Sequence, residues 1–162
     1  MIDAILHPRN AAWLVAAAGA AILGAALAFQ YLGGLAPCEL CYWQRYPFWV
    51  AIPAGVAAAC LPAARPYLLA LAGVALAIGA GVAVFHVGVE QQWWQGTQAC
   101  GARGPAASIE ELRARLLGAP VVRCDAPQWA LFGVTMAGYN VALSGGLALF
   151  ALIGARRAWK ER

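Results

Sequence analysis

Five cysteines carry the chemistry open to this chain: Cys38, Cys41, Cys60, Cys100 and Cys124. Cys38-Glu-Leu-Cys41 is a CxxC, a spacing at which two sulfurs interconvert between dithiol and disulfide while neighbours tune one of them toward the thiolate. The same spacing serves as half of a zinc site or as a structural bridge. A four-thiolate zinc site needs all four sulfurs together, and the 58 residues between Cys41 and Cys100 match no usual zinc spacing. A bridge inside CxxC constrains almost no chain, because the loop-closure gain is small for so short a loop. Redox exchange is the better reading. Cys100 and Cys124 bound a loop of 25 residues, counting both ends, and a bridge across it is worth about 3–4 kcal/mol in the chain-entropy model. A structural role and a redox role both stay open for that pair. Gly101, Gly104, Pro105, Gly118 and Pro120 suit an exposed, mobile arm whose disulfide a partner's thiolate can attack. Cys60 reads as a small buried apolar residue.

Two other residue types stand near the cysteines. Arg45 follows Cys41 by four residues, which places both on one helix face. A cation there stabilises a Cys41 thiolate or bonds an acceptor's oxygen; the alternative is an arginine that snorkels to anchor a helix end. Glu39, inside the CxxC, opposes thiolate formation. His86 and Glu90 are spaced by one helical turn. An ionisable residue in an apolar span is a functional candidate, and a satisfied interfacial histidine is the other reading. With His7 the only further histidine, a bis-histidine haem is a poor reading, and no metal is expected. Neither a phosphate-binding loop, nor a dinucleotide fingerprint, nor a Ser/His/Asp set is present.

The elements that hold these residues are read from composition. Of 162 residues 63% are apolar and 11% charged, against roughly 25% charged in ordinary soluble domains. A disordered tail, a nucleic-acid binder and a cytosolic enzyme are all poor fits. Residues 10–38, 46–64, 66–89 and 126–155 contain no Asp, Glu, Lys or Arg. A bilayer-spanning helix needs about 20 mostly apolar residues, so the chain is expected to be all-α, a single transmembrane domain over 1–162. It is read as a four-helix membrane bundle with spans near 11–31, 43–61, 67–88 and 130–154. The first run reads as an uncleaved anchor rather than a signal peptide. Gly19, Gly24, Gly73, Gly79 and Gly81 are taken as ordinary membrane-helix composition.

Four spans put both termini on one side. That side carries six basic against two acidic residues; the other carries five of each. The positive-inside rule makes the first side cytoplasmic. The outer side then has a short loop near 32–42 and a long one near 89–129, which together hold Cys38, Cys41, Cys100 and Cys124. Trp43, Trp49, Trp93, Trp94 and Trp129 fall near outer span ends and Trp13 and Trp159 near inner ends, an aromatic belt. Ser108 and Glu111 have capping-box spacing, with Ile109, Leu112 and Leu116 on one stripe. They predict a short amphipathic helix in the long loop, lying on the membrane or packed on protein.

Pro37-Cys-Glu-Leu-Cys-Tyr-Trp-Gln-Arg-Tyr46 resembles the first outer-loop motif of the DsbB family of bacterial inner-membrane disulfide bond formation proteins. Phe85-His-Val-Gly-Val-Glu90 with Trp93-Trp94 and Cys100 resembles the start of its second outer loop. Val122-Arg-Cys-Asp-Ala-Pro-Gln-Trp129, followed by Met136-Ala-Gly-Tyr-Asn140, resembles that loop's end and the last span. The likeness runs from about residue 9 to 155. It implies a quinone-dependent oxidoreductase that reoxidises a periplasmic DsbA-like thiol oxidase and passes electrons to ubiquinone or menaquinone. On that resemblance Cys100 takes the partner's attack in a mixed disulfide, Cys124 leaves and passes the exchange to Cys38, and Cys41 faces the quinone with Arg45 and His86 beside it. Gln44 departs from relatives that carry an acid before the motif arginine, and paralogues serve other thiol partners. The competing readings are a non-catalytic membrane protein with two structural disulfides and a metal-binding membrane protein.

Overall fold

The computed structural model describes residues 6–97, 100, 108, 109, 113 and 122–161. Four long helices dominate: α1 (Pro8–Tyr31), α2 (Glu39–Cys60), α3 (Arg65–Glu90) and α4 (Met136–Lys160). At 1.5 Å per residue even the shortest, α2, measures about 33 Å, more than the roughly 30 Å hydrocarbon core of a bilayer. On length and composition α1, α3 and α4 can cross a membrane. The helix α2 is less apolar because Glu39, Gln44 and Arg45 occupy its first two turns.

Local sequence explains where the helices start. Pro8 and Pro66 sit in the first turns of α1 and α3, where a missing N–H costs no hydrogen bond. Thr135 caps α4, its Oγ1 accepting from the Gly138 N–H at 3.2 Å. Arg157 and Lys160 lie in the last turn of α4, at the negative end of the helix dipole.

The helix α3 packs most extensively on α4 and then on α2, and α1 closes the ring against α2 and α4, while diagonal pairs scarcely touch. The centre is built from small residues: Ala12, Ala51, Ala58, Ala72 and Ala151 are fully buried, with Leu69 and Leu76. Small side chains let backbones approach, which drives helix association where lipid offers no hydrophobic contrast. A methyl group on Gly73 would stand 2.7 Å from Leu152 Cγ and 3.2 Å from the Ala148 carbonyl oxygen. Gly73 is therefore a packing residue, as is Gly79, where a methyl would stand 3.0 Å from Pro47 Cγ, contrary to the expectation from composition, which holds for Gly24 and Gly81, where no described residue lies within 4 Å. The outward faces are apolar too: Leu71, Val74 and Ile78 of α3 and Leu149 of α4 are exposed. An apolar exterior around a core of small residues suits lipid as solvent, and the chain is a multi-pass membrane protein.

Three expectations need correction. The last helix begins at Met136, not near 130. Residues 130–135 instead form a two-stranded antiparallel hairpin, β1 (Ala130–Leu131) with β2 (Val134–Thr135). Its two-residue turn has positive φ at Phe132 (50°) and Gly133 (77°), which matches strand twist; absence of charge cannot distinguish such a hairpin from a helix. The helix α4 correspondingly extends to Lys160. Secondly, Cys60 is exposed. It falls one step past buried Ala58 and Ala59, on the outward face, where an apolar residue needs no protein cover. Thirdly, Cys100 and Cys124 are buried rather than displayed on an exposed arm. The amphipathic helix expected near 108–116 lies outside the described residues, apart from Ser108, Ile109 and Arg113.

Candidate active site

The cysteines of the two outer loops converge at the end of the bundle where α1 and α3 finish and α2 and α4 begin. Cys38 is the N-cap of α2, its Sγ accepting from the Cys41 N–H at 3.3 Å. The free helix N–H groups there suit a sulfur that carries negative charge. Cys38 Sγ also lies 2.9 Å from Cys41 Sγ, the two thiols being unbonded. That separation is short of normal sulfur contact yet longer than the roughly 2.05 Å of a disulfide, so a small rotamer change closes the pair. The Cys38 thiol is held protonated, its titration pushed far up first by the hydrogen bond it donates to Cys41 and then by burial.

Cys100 and Cys124 are joined in a disulfide. Both belong to one buried apolar cluster with Cys38, Leu40 and Val89, against which Cys41 and Val122 pack. The disulfide and the dithiol are therefore neighbours. Thr97 supports the junction: its hydroxyl lies 3.3 Å from Cys100 Sγ and 2.5 Å from the Glu39 carboxylate. Glu39 is thus engaged by a hydroxyl rather than turned onto the CxxC.

His86 sits at the centre, 4% exposed. Its Nε2 lies 3.6 Å from Cys38 Sγ and 3.2 Å from the Cys124 carbonyl oxygen. Its Nδ1 lies 2.7 Å from Gln44 Nε2. Glu90 Oε1 stands 3.8 Å from His86 Nε2, and its Oε2 accepts from the Thr135 hydroxyl at 2.6 Å. Arg45 shares a face with Cys41 as expected, but its guanidinium is turned onto α1. It donates to Gln30 Oε1 and, at 3.3 Å, to the Ala26 carbonyl, and lies over the Tyr42 ring. It is a fixed group, not a side chain reaching out to water.

These residues border a cavity of about 350 Å³, in the range of small-molecule sites. Phe29, Phe48, Trp129 and Leu143 supply apolar walls, and Cys41, Arg45, His86, Glu90 and Arg123 are ionisable side chains on its border. Trp129 packs on Phe29 and Tyr139, with centroids 5.2 and 6.1 Å apart. Gln128 donates to the Ala36 carbonyl at 2.6 Å, tying the segment after Cys124 to the loop before Cys38. Arg123, which also borders the cavity, grips Asp125 through two hydrogen bonds, at 2.9 and 2.5 Å, which hold the Asp125 carboxyl below its usual range.

Cys38, Cys41 and His86 place their donor atoms within 4.8 Å of one another, a soft set of the kind zinc takes. Two thiolates on one zinc ion stand roughly 3.8 Å apart in tetrahedral geometry, well beyond 2.9 Å. The arrangement fits sulfur–sulfur chemistry better than a metal clasp.

Gln44, noted in the sequence only as a departure from relatives, is buried, as is Ser144; Ser144, Thr97 and Thr135 were not singled out, and Asn140 only as part of a motif. A signal was present: amide and hydroxyl side chains inside otherwise apolar spans must find partners there. Their partners lie on other helices, however, and spacing along the chain does not reveal them.

The family model for "Disulfide bond formation protein DsbB" matches residues 8–154. The chain is 32% identical over 142 residues to disulfide bond formation protein B of Dechloromonas aromatica, covering 82% of each chain. It is 33% identical to the protein of that name from Herminiimonas arsenicoxydans, over 77% of this chain and 87% of the relative. With that from Methylococcus capsulatus it shares 34% identity, over 83% and 85%. No solved structure gives a significant match. A match that runs through all four helices, with both cysteine pairs folded into one cluster at their mouth, leaves one assignment: this disulfide-bond-forming membrane protein belongs to the DsbB family.

Proposed function

We propose that this protein reoxidises a periplasmic DsbA-like dithiol oxidase and delivers the two electrons to membrane quinone, ubiquinone or menaquinone. The observation that carries the reading is the juxtaposition of a Cys100–Cys124 disulfide with a Cys38/Cys41 dithiol at the mouth of an apolar cavity. In this reading the protein sits in a bacterial inner membrane with both termini cytoplasmic and the cysteines periplasmic, where thiols meet an oxidising compartment.

The exchange balances at each step. A partner thiolate attacks Cys100 Sγ, the Cys100–Cys124 bond breaks, and Cys124 leaves as a thiolate. The partner's second thiol attacks its own sulfur in the mixed disulfide, which frees Cys100 and leaves the partner oxidised. Cys124 attacks Cys38 in an oxidised Cys38–Cys41 pair and expels Cys41 as a thiolate. Cys100 then attacks Cys124, restoring their disulfide and freeing Cys38. The outcome is the state seen here, a dithiol at Cys38/Cys41 beside an intact Cys100–Cys124 bridge.

A quinone bound in the cavity supplies an acceptor for two electrons and two protons as Cys38 and Cys41 close to a disulfide. The chain's part is positional and electrostatic. Cys41 and Arg45 both border the cavity, so the sulfur and the cation face one bound molecule. The apolar walls admit a lipid-soluble ring and exclude water, which strengthens the cation's effect on developing negative charge. His86 borders the same space.

The test is anaerobic mixing of the purified protein with a reduced DsbA-like oxidase and a quinone, following quinone absorbance. Stoichiometric bleaching is the expected result, with a mixed disulfide through Cys100 that accumulates when the partner's second cysteine is replaced by serine and so cannot release Cys100. Bridges that ignore the reduced partner would leave a structural role for all four cysteines.

A further inference from the structure

A line of polar side chains crosses the bundle from α4 to the cysteines. Ser144 Oγ donates to Asn140 Oδ1 at 2.7 Å, and Asn140 Nδ2 donates to Gln44 Oε1 at 2.7 Å. Gln44 Nε2 meets the Leu40 carbonyl at 3.2 Å and His86 Nδ1 at 2.7 Å. The direction of this line is not arbitrary. The Leu40 carbonyl can only accept, so the Gln44 atom beside it is the amide nitrogen, and that nitrogen also donates to His86 Nδ1. From the far side the Cys124 carbonyl, again only an acceptor, lies 3.2 Å from His86 Nε2. A bare nitrogen lone pair there would face an oxygen lone pair. Two carbonyls on opposite sides of the ring thus call for the same tautomer, a neutral imidazole protonated at Nε2.

From this geometry we infer that Gln44, held by Asn140 and Ser144, is a positioning residue that sets His86 as an Nε2–H donor, and that this donor latches the Cys124 backbone beside Cys38. The inference rests on the exchange proposed above, in which Cys124 Sγ attacks Cys38 Sγ and the Cys38–Cys41 bond breaks. One ring nitrogen is within reach of both residues that must react, 3.2 Å from the Cys124 carbonyl oxygen and 3.6 Å from Cys38 Sγ. It therefore holds the incoming segment in place and offers a hydrogen bond to negative charge on Cys38 when Cys38 is released. Glu90 Oε1 also faces Nε2, at 3.8 Å, farther than the Cys124 carbonyl, while Thr135 donates to the other oxygen of that carboxylate.

Ring nitrogen shifts of ¹⁵N-histidine protein in detergent micelles read the tautomer directly, because His7 is the only other histidine and is removed by His7→Gln. The wild-type protein is expected to show Nδ1 unprotonated and Nε2 protonated. Gln44→Glu replaces the donating amide with an acceptor of the same shape and is expected to move a proton onto Nδ1. Transfer from Cys100–Cys124 to Cys38–Cys41 should then slow about tenfold, the effect of one buried hydrogen bond, while mixed-disulfide formation at Cys100 keeps its rate. A helix-packing role alone would leave the ring shifts unmoved. A proton on Nδ1 in the wild type overturns the inference even if the variant fails to fold, and so does a Gln44→Glu protein with wild-type ring shifts. Should the wild type pass no electrons between the pairs, the functional reading falls, and the ring shifts still decide the tautomer.

Discussion

Replacing Arg45 with methionine removes one charge from the cavity wall and keeps most of the side-chain volume. Residues one helical turn apart have Cβ atoms about 6 Å apart. At an effective dielectric of about 20, unit charges at that distance attract by about 2.8 kcal/mol, roughly a hundredfold in rate. The guanidinium leans toward Gln30 and the Ala26 carbonyl on α1; stretching the distance to about 8 Å lowers the effect to about 2 kcal/mol, or roughly 30-fold. We therefore expect kcat for quinone reduction to fall between about 30- and 100-fold in Arg45→Met. Mixed-disulfide formation at Cys100 should be unchanged. Arg45→Lys keeps the charge but not the fork that spans two partners on α1, and should fall in between. The assay is steady-state bleaching of a short-chain quinone with a reduced thiol partner, repeated in 1 M salt to screen any exposed contribution. Wild-type kcat and KM in Arg45→Met would refute the electrostatic reasoning and leave Arg45 as an anchor for α1.

Cys41→Ser is expected to abolish quinone bleaching while Cys100 still captures the reduced partner; full-speed bleaching by that protein would remove Cys41 from the electron path. Gly73→Val forces a branched side chain against Leu152 and the Ala148 carbonyl. It should cost about 1–3 kcal/mol, measured as a lowered Tm in detergent, whereas Gly81→Ala should not lower Tm, because no described residue lies within 4 Å and alanine is the better helix former. The Arg123–Asp125 pair lowers the carboxyl's titration in the folded protein. Its contribution to stability is therefore present above the ordinary aspartate value of about 3.9 and lost as pH falls through the lower folded value. Exposure of Arg123 keeps that contribution small, so Asp125→Asn should match the wild-type Tm at pH 7 and differ from it no more at pH 3.

Much of the site was legible along the chain because its chemistry is carried by rare residue types. Cys38 and Cys41 lie within one turn, Arg45 one turn further, and His86 stands in an uncharged span; each is marked by spacing or by its cost in lipid. What spacing along the chain leaves unspecified at Arg45 and His86 is their contacts with other helices. Arg45 is pinned to α1, and His86 is surrounded by Gln44, Cys38 and the Cys124 backbone. The hairpin at 130–135 was hidden because an uncharged stretch fits a turn at Phe132-Gly133 as well as a helix.

Composition alone determines that this chain lives in lipid as helices, since a bilayer core punishes charge and unpaired backbone wherever they occur, whatever the fold. Tertiary structure alone decides that the Cys100–Cys124 disulfide is buried beside the CxxC, and that Gly73 is a contact while Gly81 is not. The same holds for the orientation of Gln44, fixed by a carbonyl on one side and an asparagine on another helix. The physical reason is range: hydrophobicity is a property of each residue, whereas hydrogen-bond direction and close packing belong to pairs that only folding brings together.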